Sequence, residues 1–390
     1  MSEIKTLKQL DVKNKRALVR VNFDVPLNEK GEIVDNFRIE ESLPTIEYLI
    51  KQKAKIILIS YVGRPDGKKI KKLSLKPIAD ELGELLKRKI IFSKDIFGKD
   101  IERIIKKMFF GDILLLENIR FWKGEKENSF EFAEKLAKLG DVYINEAFAD
   151  SHRVCASIVG IPQLLPCAAG FLLEKEIEEL DKILKEPKRP LVAIIGGAKM
   201  ETKIKVINKF LKIADKVLIG GALANTIFAS QKIAMGGSVI DKDSFNEVKK
   251  INFNPPAGGS KLFLPIDLGI WDGKNTIYKD VGPLQWFEKA LDMGPKTMHL
   301  FNDMVMNAKM VVWNGPLGMT TQKPFDKATV ELIEAIDKSR AYAVVGGGDT
   351  IGFINEIGKE KVFNWMSTGG GAMLDYLANG TLPGIEVLKK

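Results

Sequence analysis

Short, β-branched apolar runs recur along the whole chain, and each leads into a stretch of helical period. No other feature limits the fold as much. In the first half the runs are ALVRVNF (17–23), KIILIS (55–60), KIIFS (89–93), ILLLENIRF (113–121) and VYINEAF (142–148). In the second half they are LVAIIGG (191–197), KVLIGG (216–221), KLFLP (261–265), MVVWNGP (310–316) and YAVVGGG (342–348). Strands apolar at nearly every position are buried on both faces, as parallel strands in βαβ units are. Two such series predict an α/β chain with two doubly wound parallel-sheet, Rossmann-like domains and a cleft between them. Between the series, Leu173, Ile177, Leu180 and Leu184 keep helical spacing until Pro187 and Pro190 stop it. A long connecting helix over 171–186 is expected, and its position makes it a candidate hinge. It divides an N-terminal domain, 1–170, from a C-terminal domain, 187–377.

The 390 residues are 45% hydrophobic and 28% charged, which leaves ample material for large cores. No apolar run is long enough to span a membrane, and the charged start MSEIKTLKQLDVKNK lacks the apolar segment of a signal peptide. Cys155 and Cys167 form neither a disulfide framework nor a metal spacing. A cytoplasmic protein without a membrane partner is expected. The net charge is +9. The lysines behind it are scattered, and KKIKK at 68–72 reads as a solvated loop, so a nucleic-acid partner is not expected. The arginines are more telling: of ten, eight fall in the first 153 residues. Arginine is the planar, bidentate binder of phosphate and carboxylate, so the first half suits a small, highly charged acid.

In open parallel sheets, ligands bind at the carboxyl ends of the strands. In the first half these ends carry Asn22, Asp24, Arg64, Arg120, His152 and Arg153, and Arg38 follows the first long loop. In the second half they carry GGAK (196–199), GGALAN (220–225), NGPLG (314–318) and GGGDT (346–350). Arginines in one half and glycines in the other predict two different anionic ligands, one per domain. Glycines before a helix bare amides to an anion, although a tight turn explains them equally well. Lys199 and Lys203, at i and i+4 of an expected helix start, would share one face toward a polyphosphate; two surface lysines are the plain alternative. Asp349 suits Mg²⁺ held mainly through phosphate oxygens, or it serves as a helix N-cap. Neither a Walker A nor a G-x-G-x-x-G pattern is present, and with only two histidines, His152 and His299, no Ser-His-Asp or Cys-His arrangement can be argued.

The motifs RVNFDVP, GRPDG, ENIRF, NEAFADSHR, GGAKMETK, LDMGPKT, VVWNGPLG, GGGDT and STGGGA, with LPGIEVL near the end, occur in one order over the whole chain. Jointly they resemble phosphoglycerate kinase. The resemblance implies a monomeric, hinge-bending enzyme of glycolysis. It implies reversible phosphoryl transfer between 1,3-bisphosphoglycerate and MgADP, giving 3-phosphoglycerate and MgATP. It places the acid on Asn22, Phe23, Asp24, Arg38, Tyr61, Val62, Gly63, Arg64, Arg120, His152 and Arg153. It places the nucleotide on Lys199, Lys203, Gly221, Ala290, Leu291, Asn314, Pro316, Thr321, Gly347, Gly348, Asp349 and Thr350, with Asp349 serving the magnesium. Arg38 and Lys199 are the implied catalytic residues, and the tail, 378–390, is implied to return to the N-terminal domain. Several positions depart from the family pattern. Asn22 and Asp24 are exchanged, Tyr61, Trp122 and Trp365 stand where histidines are usual, and Thr321 replaces a ribose-binding Glu. Retention of the arginines and lysines predicts activity, with altered affinity or nucleotide preference. A relative that binds nucleotide without catalysis is the alternative those departures leave open.

Overall fold

The computed structural model describes residues 4–251 and 261–389. It contains two compact units, residues 1–178 with 381–390 and residues 179–380. Lys390, at the end of the tail, lies outside the described residues.

The first unit is built on β1 (Arg16–Arg20), β2 (Lys55–Ile59), β3 (Ile90–Ser93), β4 (Ile113–Leu116), β5 (Val142–Asn145) and β6 (Cys167–Ala169). All pair in parallel, in the order β3-β4-β2-β1-β5-β6. Every residue of β4 and β5 is buried, which is why these segments read as unbroken apolar runs rather than alternating ones. The intervening helices are amphipathic. In the Lys99–Lys107 helix, Ile101 and Ile105 face inward, Asp100 and Glu102 sit in the first turn, and Lys106 and Lys107 in the last, each charge opposing the nearer end of the helix dipole. The chain returns to this unit at its end. Leu382, Ile385 and Leu388 are buried, Gly384 N donates to Ser151 O (2.8 Å), and Asn145 Nδ2 donates to Gly384 O (3.2 Å).

The second unit holds β7 (Leu191–Ile195), β8 (Lys216–Ile219), β9 (Leu262–Phe263), β10 (Asp267–Trp271), β11 (Thr276–Asp280), β12 (Lys289–Met293), β13 (Met310–Asn314), β14 (Tyr342–Gly346) and β15 (Trp365–Ser367). Six form a parallel sheet in the order β15-β14-β13-β7-β8-β9, and β11-β10-β12 form a separate antiparallel sheet. The expected pair of doubly wound sheets is present, with each of the ten apolar runs containing a strand. The small antiparallel sheet and the edge strands β6 and β15 are additions to that expectation. The helix Phe171–Lys185 contains residues of both units.

Candidate active site

In the first unit, the candidate side chains gather where β1, β2, β4 and β5 end. Their centre is a residue the sequence did not mark, Asp150. It is 1% exposed, and five groups converge on it. Oδ2 accepts from Arg20 Nη2 (3.0 Å) and Asn22 Nδ2 (2.7 Å). Oδ1 accepts from the Tyr61 hydroxyl (2.6 Å), with Arg153 Nε at 3.6 Å and Arg120 Nη2 at 4.0 Å. Burial alone would push this carboxyl up. Arg20, Tyr61, Arg120 and Arg153 outweigh it and hold the carboxyl below its ordinary range.

A ring of bonds closes around Asp150. Asn22 Oδ1 accepts the Asp24 amide (3.1 Å), and Asp24 Oδ1 accepts the Gly63 amide (2.8 Å). Gly63 O accepts from Arg120 Nη1 (3.0 Å), whose guanidinium lies 3.2 Å from the centre of the Tyr61 ring and completes the circuit to Asp150. The exchanged Asn22 and Asp24 are therefore both engaged. The Asn amide suits the buried carboxylate below it, and the Asp accepts a backbone amide. Arg38, in the short helix Phe37–Glu40, donates to Asp24 O. A cavity of about 650 Å³ opens beside this ring, with Arg20, Arg64, Arg120, Arg153, Asp150 and Trp122 in its wall.

Not every expected residue presents its side chain here. The Phe23 and Val62 side chains belong to the hydrophobic core, and their backbones are held beside the ring: Phe23 N donates to Ser60 Oγ (2.9 Å), and Val62 O accepts from Asn118 Nδ2 (2.8 Å). Of the expected residues, Arg64, Arg120 and Arg153 line the cavity, whereas Asn22, Asp24, Arg38, Tyr61, Gly63 and His152 do not. Beneath the arginines, Arg20 Nε donates to Ser157 Oγ (2.8 Å), which in turn meets Glu125 Oε1 at 2.6 Å.

In the second unit, the ends of β7, β8, β13 and β14 converge. Lys203 is buried and donates to Gly196 O. Burial pulls its ammonium down to about 8, against the pull of Asp349, which raises it. Gly197 (φ +85°) and Gly315 (φ +91°) make room for this lysine; a Cβ on either would lie 2.7 or 2.6 Å from its Nζ. The shared helical face expected for Lys199 and Lys203 is absent. The helix starts only at Ile204, Lys199 precedes it on an exposed, irregular segment, and Lys203 folds inward.

The GGGDT stretch resolves into three separate demands. A Cβ on Gly346 would strike Met373 Sδ at 2.3 Å. Gly347 has φ +107° and is the N-cap of the helix Gly348–Glu356. A Cβ on Gly348 would meet nothing within 4 Å, so the first turn lies open. Asp349 sits in that turn and is exposed, which removes the N-cap alternative. Thr350 Oγ1 accepts from Gly315 N (3.1 Å), and Asn314 Nδ2 points at Gly370 O (3.5 Å).

An adjoining cavity of about 250 Å³ is lined by Gly221, Ala290, Leu291, Pro316 and Asp349 among others. Thr321 is exposed and does not line it, whereas Met319 does. Asp292 also faces this cavity and was not anticipated. Burial pushes its carboxyl up to about 7, against the amides of Ala328 (3.1 Å) and Met293 (2.9 Å) that it accepts. The described residues contain no cluster of three or more His, Cys, Asp or Glu able to cage a metal. The single exposed carboxylate of Asp349, beside open amides, fits a cation that arrives with phosphate oxygens as its other ligands.

One unit thus carries an arginine-lined cavity, and the other a smaller, mostly apolar cavity with Asp349 in its wall, next to an open helix start, each at the carboxyl ends of a parallel sheet. That is the layout of an α/β phosphotransferase. The phosphoglycerate kinase family profile matches residues 7–380. Curated phosphoglycerate kinases are 41% identical in Desulfosudis oleivorans, over 99% of both chains, and 42% identical in Leptospira biflexa, over 98% of this chain and 97% of the relative. The solved phosphoglycerate kinase of Pyrococcus horikoshii superposes with a TM-score of 0.87 at 31% identity, covering 99% of this chain and 98% of that one. The Coxiella burnetii structure gives 0.84 at 33%, over 99% of both. The chain belongs to the phosphoglycerate kinase family. It is a phosphotransferase of glycolysis and moves a phosphoryl group reversibly between 1,3-bisphosphoglycerate and ADP, giving 3-phosphoglycerate and ATP.

Proposed function

We propose that the arginine cavity holds the acid and the glycine-lined surface the nucleotide. The observation that carries this reading is the contrast in charge and shape between them. Arginines converge in one unit, and an open helix terminus faces a small apolar cavity in the other. Arg64, Arg120 and Arg153 would take the distal phosphate, and Asn22 and Asp24 the hydroxyl. The backbones of Phe23, Val62 and Gly63 fix that wall, Tyr61 lies beneath it, and His152 stands beside it. Gly221, Ala290, Leu291 and Pro316 would enclose the base and ribose, with Thr321 at the rim. Gly347, Gly348, Thr350, Asn314 and Lys203 would receive the phosphates. Asp349 would hold Mg²⁺, which neutralises phosphate charge when bound.

The transfer itself needs alignment and charge neutralisation rather than a protein nucleophile. A terminal oxygen of ADP attacks the acyl phosphorus in line. The bond from phosphorus to the acyl oxygen breaks, and the carboxylate of 3-phosphoglycerate leaves with that electron pair. Arg38 would stabilise charge on the carboxyl and on the moving group, and Lys199 the transferring oxygens. Two ligands on separate units must meet for this, so we infer closure of the units, with exclusion of water. The enzyme is read as a cytoplasmic monomer. The reading is tested by coupled turnover of 3-phosphoglycerate with MgATP. Arg38→Ala and Lys199→Ala are each expected to lower kcat by about 10²-fold or more. Near-normal turnover in either would remove that residue from the catalytic pair.

A further inference from the structure

We propose that Asp150 and Tyr61 form a positioning device that fixes Arg120 and Arg153 for the phosphate of the acid substrate. This rests on the reading that the arginine cavity takes the acid. The two oxygens of Asp150 have separate duties. Oδ2 is filled by Arg20 and Asn22, which are themselves 1% and 6% exposed, and anchors the carboxylate in the fold. Oδ1 meets Tyr61, Arg120 and Arg153, and Asp150 forms part of the cavity wall.

Asp150 is the one carboxylate within 4.0 Å of either arginine among the described residues. Arg120 is further pinned between Gly63 O and the face of the Tyr61 ring. Tyr61 spends its proton on Asp150 and is 2% exposed, so it serves the site as a platform under Arg120 rather than as a donor to substrate. The ionised carboxylate also forms a negative floor. A phosphate seated among the arginines is repelled from going deeper, which sets its depth and hence the reach of the carboxyl toward Arg38. Without the device, Arg153, whose side chain is 48% exposed, would sample many rotamers before each encounter.

The test is steady-state kinetics of the full chain for Tyr61→Phe and Asp150→Asn, with Arg64→Ala as reference. Tyr61→Phe removes one hydrogen bond to the carboxylate and leaves the ring and the Arg20 pair in place, so it is the variant that keeps the fold. Its KM for 3-phosphoglycerate is expected to rise about tenfold, the size of one charge-assisted hydrogen bond. The KM for MgATP and kcat should stay within about twofold. Asp150→Asn should shift the same constant further. A merely structural role would lower kcat through loss of active protein and leave the acid KM alone. That pattern in both variants, while Arg64→Ala raises the acid KM, would overturn the inference and spare the site assignment. If Arg64→Ala also leaves the acid KM unchanged, the site assignment falls, and the inference with it.

Discussion

Lys203 is the residue whose ionisation most directly reports the proposed nucleotide surface. Its buried ammonium is pulled down to about 8, with Asp349 as the counter-pull. A group depressed below its unfolded value costs the fold while it is charged. Its contribution is fully present above 10.5 and is lost as pH falls through about 8. Phosphates bound there, as proposed, would supply the missing anion and return the pKa upward. Between about pH 8 and 10.5, nucleotide binding should therefore take up protons, and affinity should fall as pH rises. Calorimetry of MgADP binding near pH 9, in buffers of different ionisation enthalpy, reads this directly. Wild type should show proton uptake and Lys203→Met none; zero uptake in wild type would mean that Lys203 does not meet the phosphates. Asp150 could not be found by such local reasoning. Its partners Arg20 and Asn22 lie 130 and 128 residues away in sequence, and nothing around ADSHR hints at them. Lys203 was visible as a lysine after a strand and two glycines, but its burial depends on Gly315, more than a hundred residues on.

At the scale of elements, parallel strands were legible because burial on both faces leaves a run without alternation. β6 reads Cys-Ala-Ala and β15 Trp-Met-Ser, too short and too poor in branched residues to stand out. β11 is half to fully exposed, so its pairing in the antiparallel sheet leaves little apolar trace. The connecting helix Phe171–Lys185 was legible, but its anchor was not. Glu146, just past β5, accepts the Leu172 amide (3.2 Å), and Thr45 Oγ1 accepts the Phe171 amide (2.9 Å). A carboxylate at a helix start is ordinarily favoured by the dipole. Here burial wins over Thr45 and the amides of Leu172 and Leu173, and pushes Glu146 up to about 8. Gly170 is needed beside it, because a Cβ there would lie 1.7 Å from Oε2. With the folded pKa raised, the stability Glu146 contributes is complete below 4.5 and is lost as pH rises through about 8. Glu146→Gln should gain stability relative to wild type across that window and hold a constant difference above it. Melting curves taken from pH 5 to 9 test this; parallel melting temperatures for the two proteins would show that Glu146 titrates normally.

For the whole molecule, connectivity is the argument. The chain leaves the first unit inside the Phe171–Lys185 helix, between residues 178 and 179, and re-enters it between 380 and 381. Any relative movement of the units must be absorbed at these two crossings. Both are tethered on the first-unit side: the helix start by Glu146 and Thr45, the return segment by Ser151 and Asn145 at Gly384. On the proposed assignment, transfer requires the acid on one unit to reach the nucleotide on the other, and water must be kept from an acyl phosphate in the meantime. Binding both ligands should therefore favour a closed arrangement, and neither ligand alone can supply the full differential affinity for it. Small-angle scattering is expected to show a smaller radius of gyration with 3-phosphoglycerate and a non-hydrolysable MgATP analogue together than with either alone. Equal dimensions in all three states, with both ligands demonstrably bound, would refute closure and require the two sites to meet without movement at the crossings.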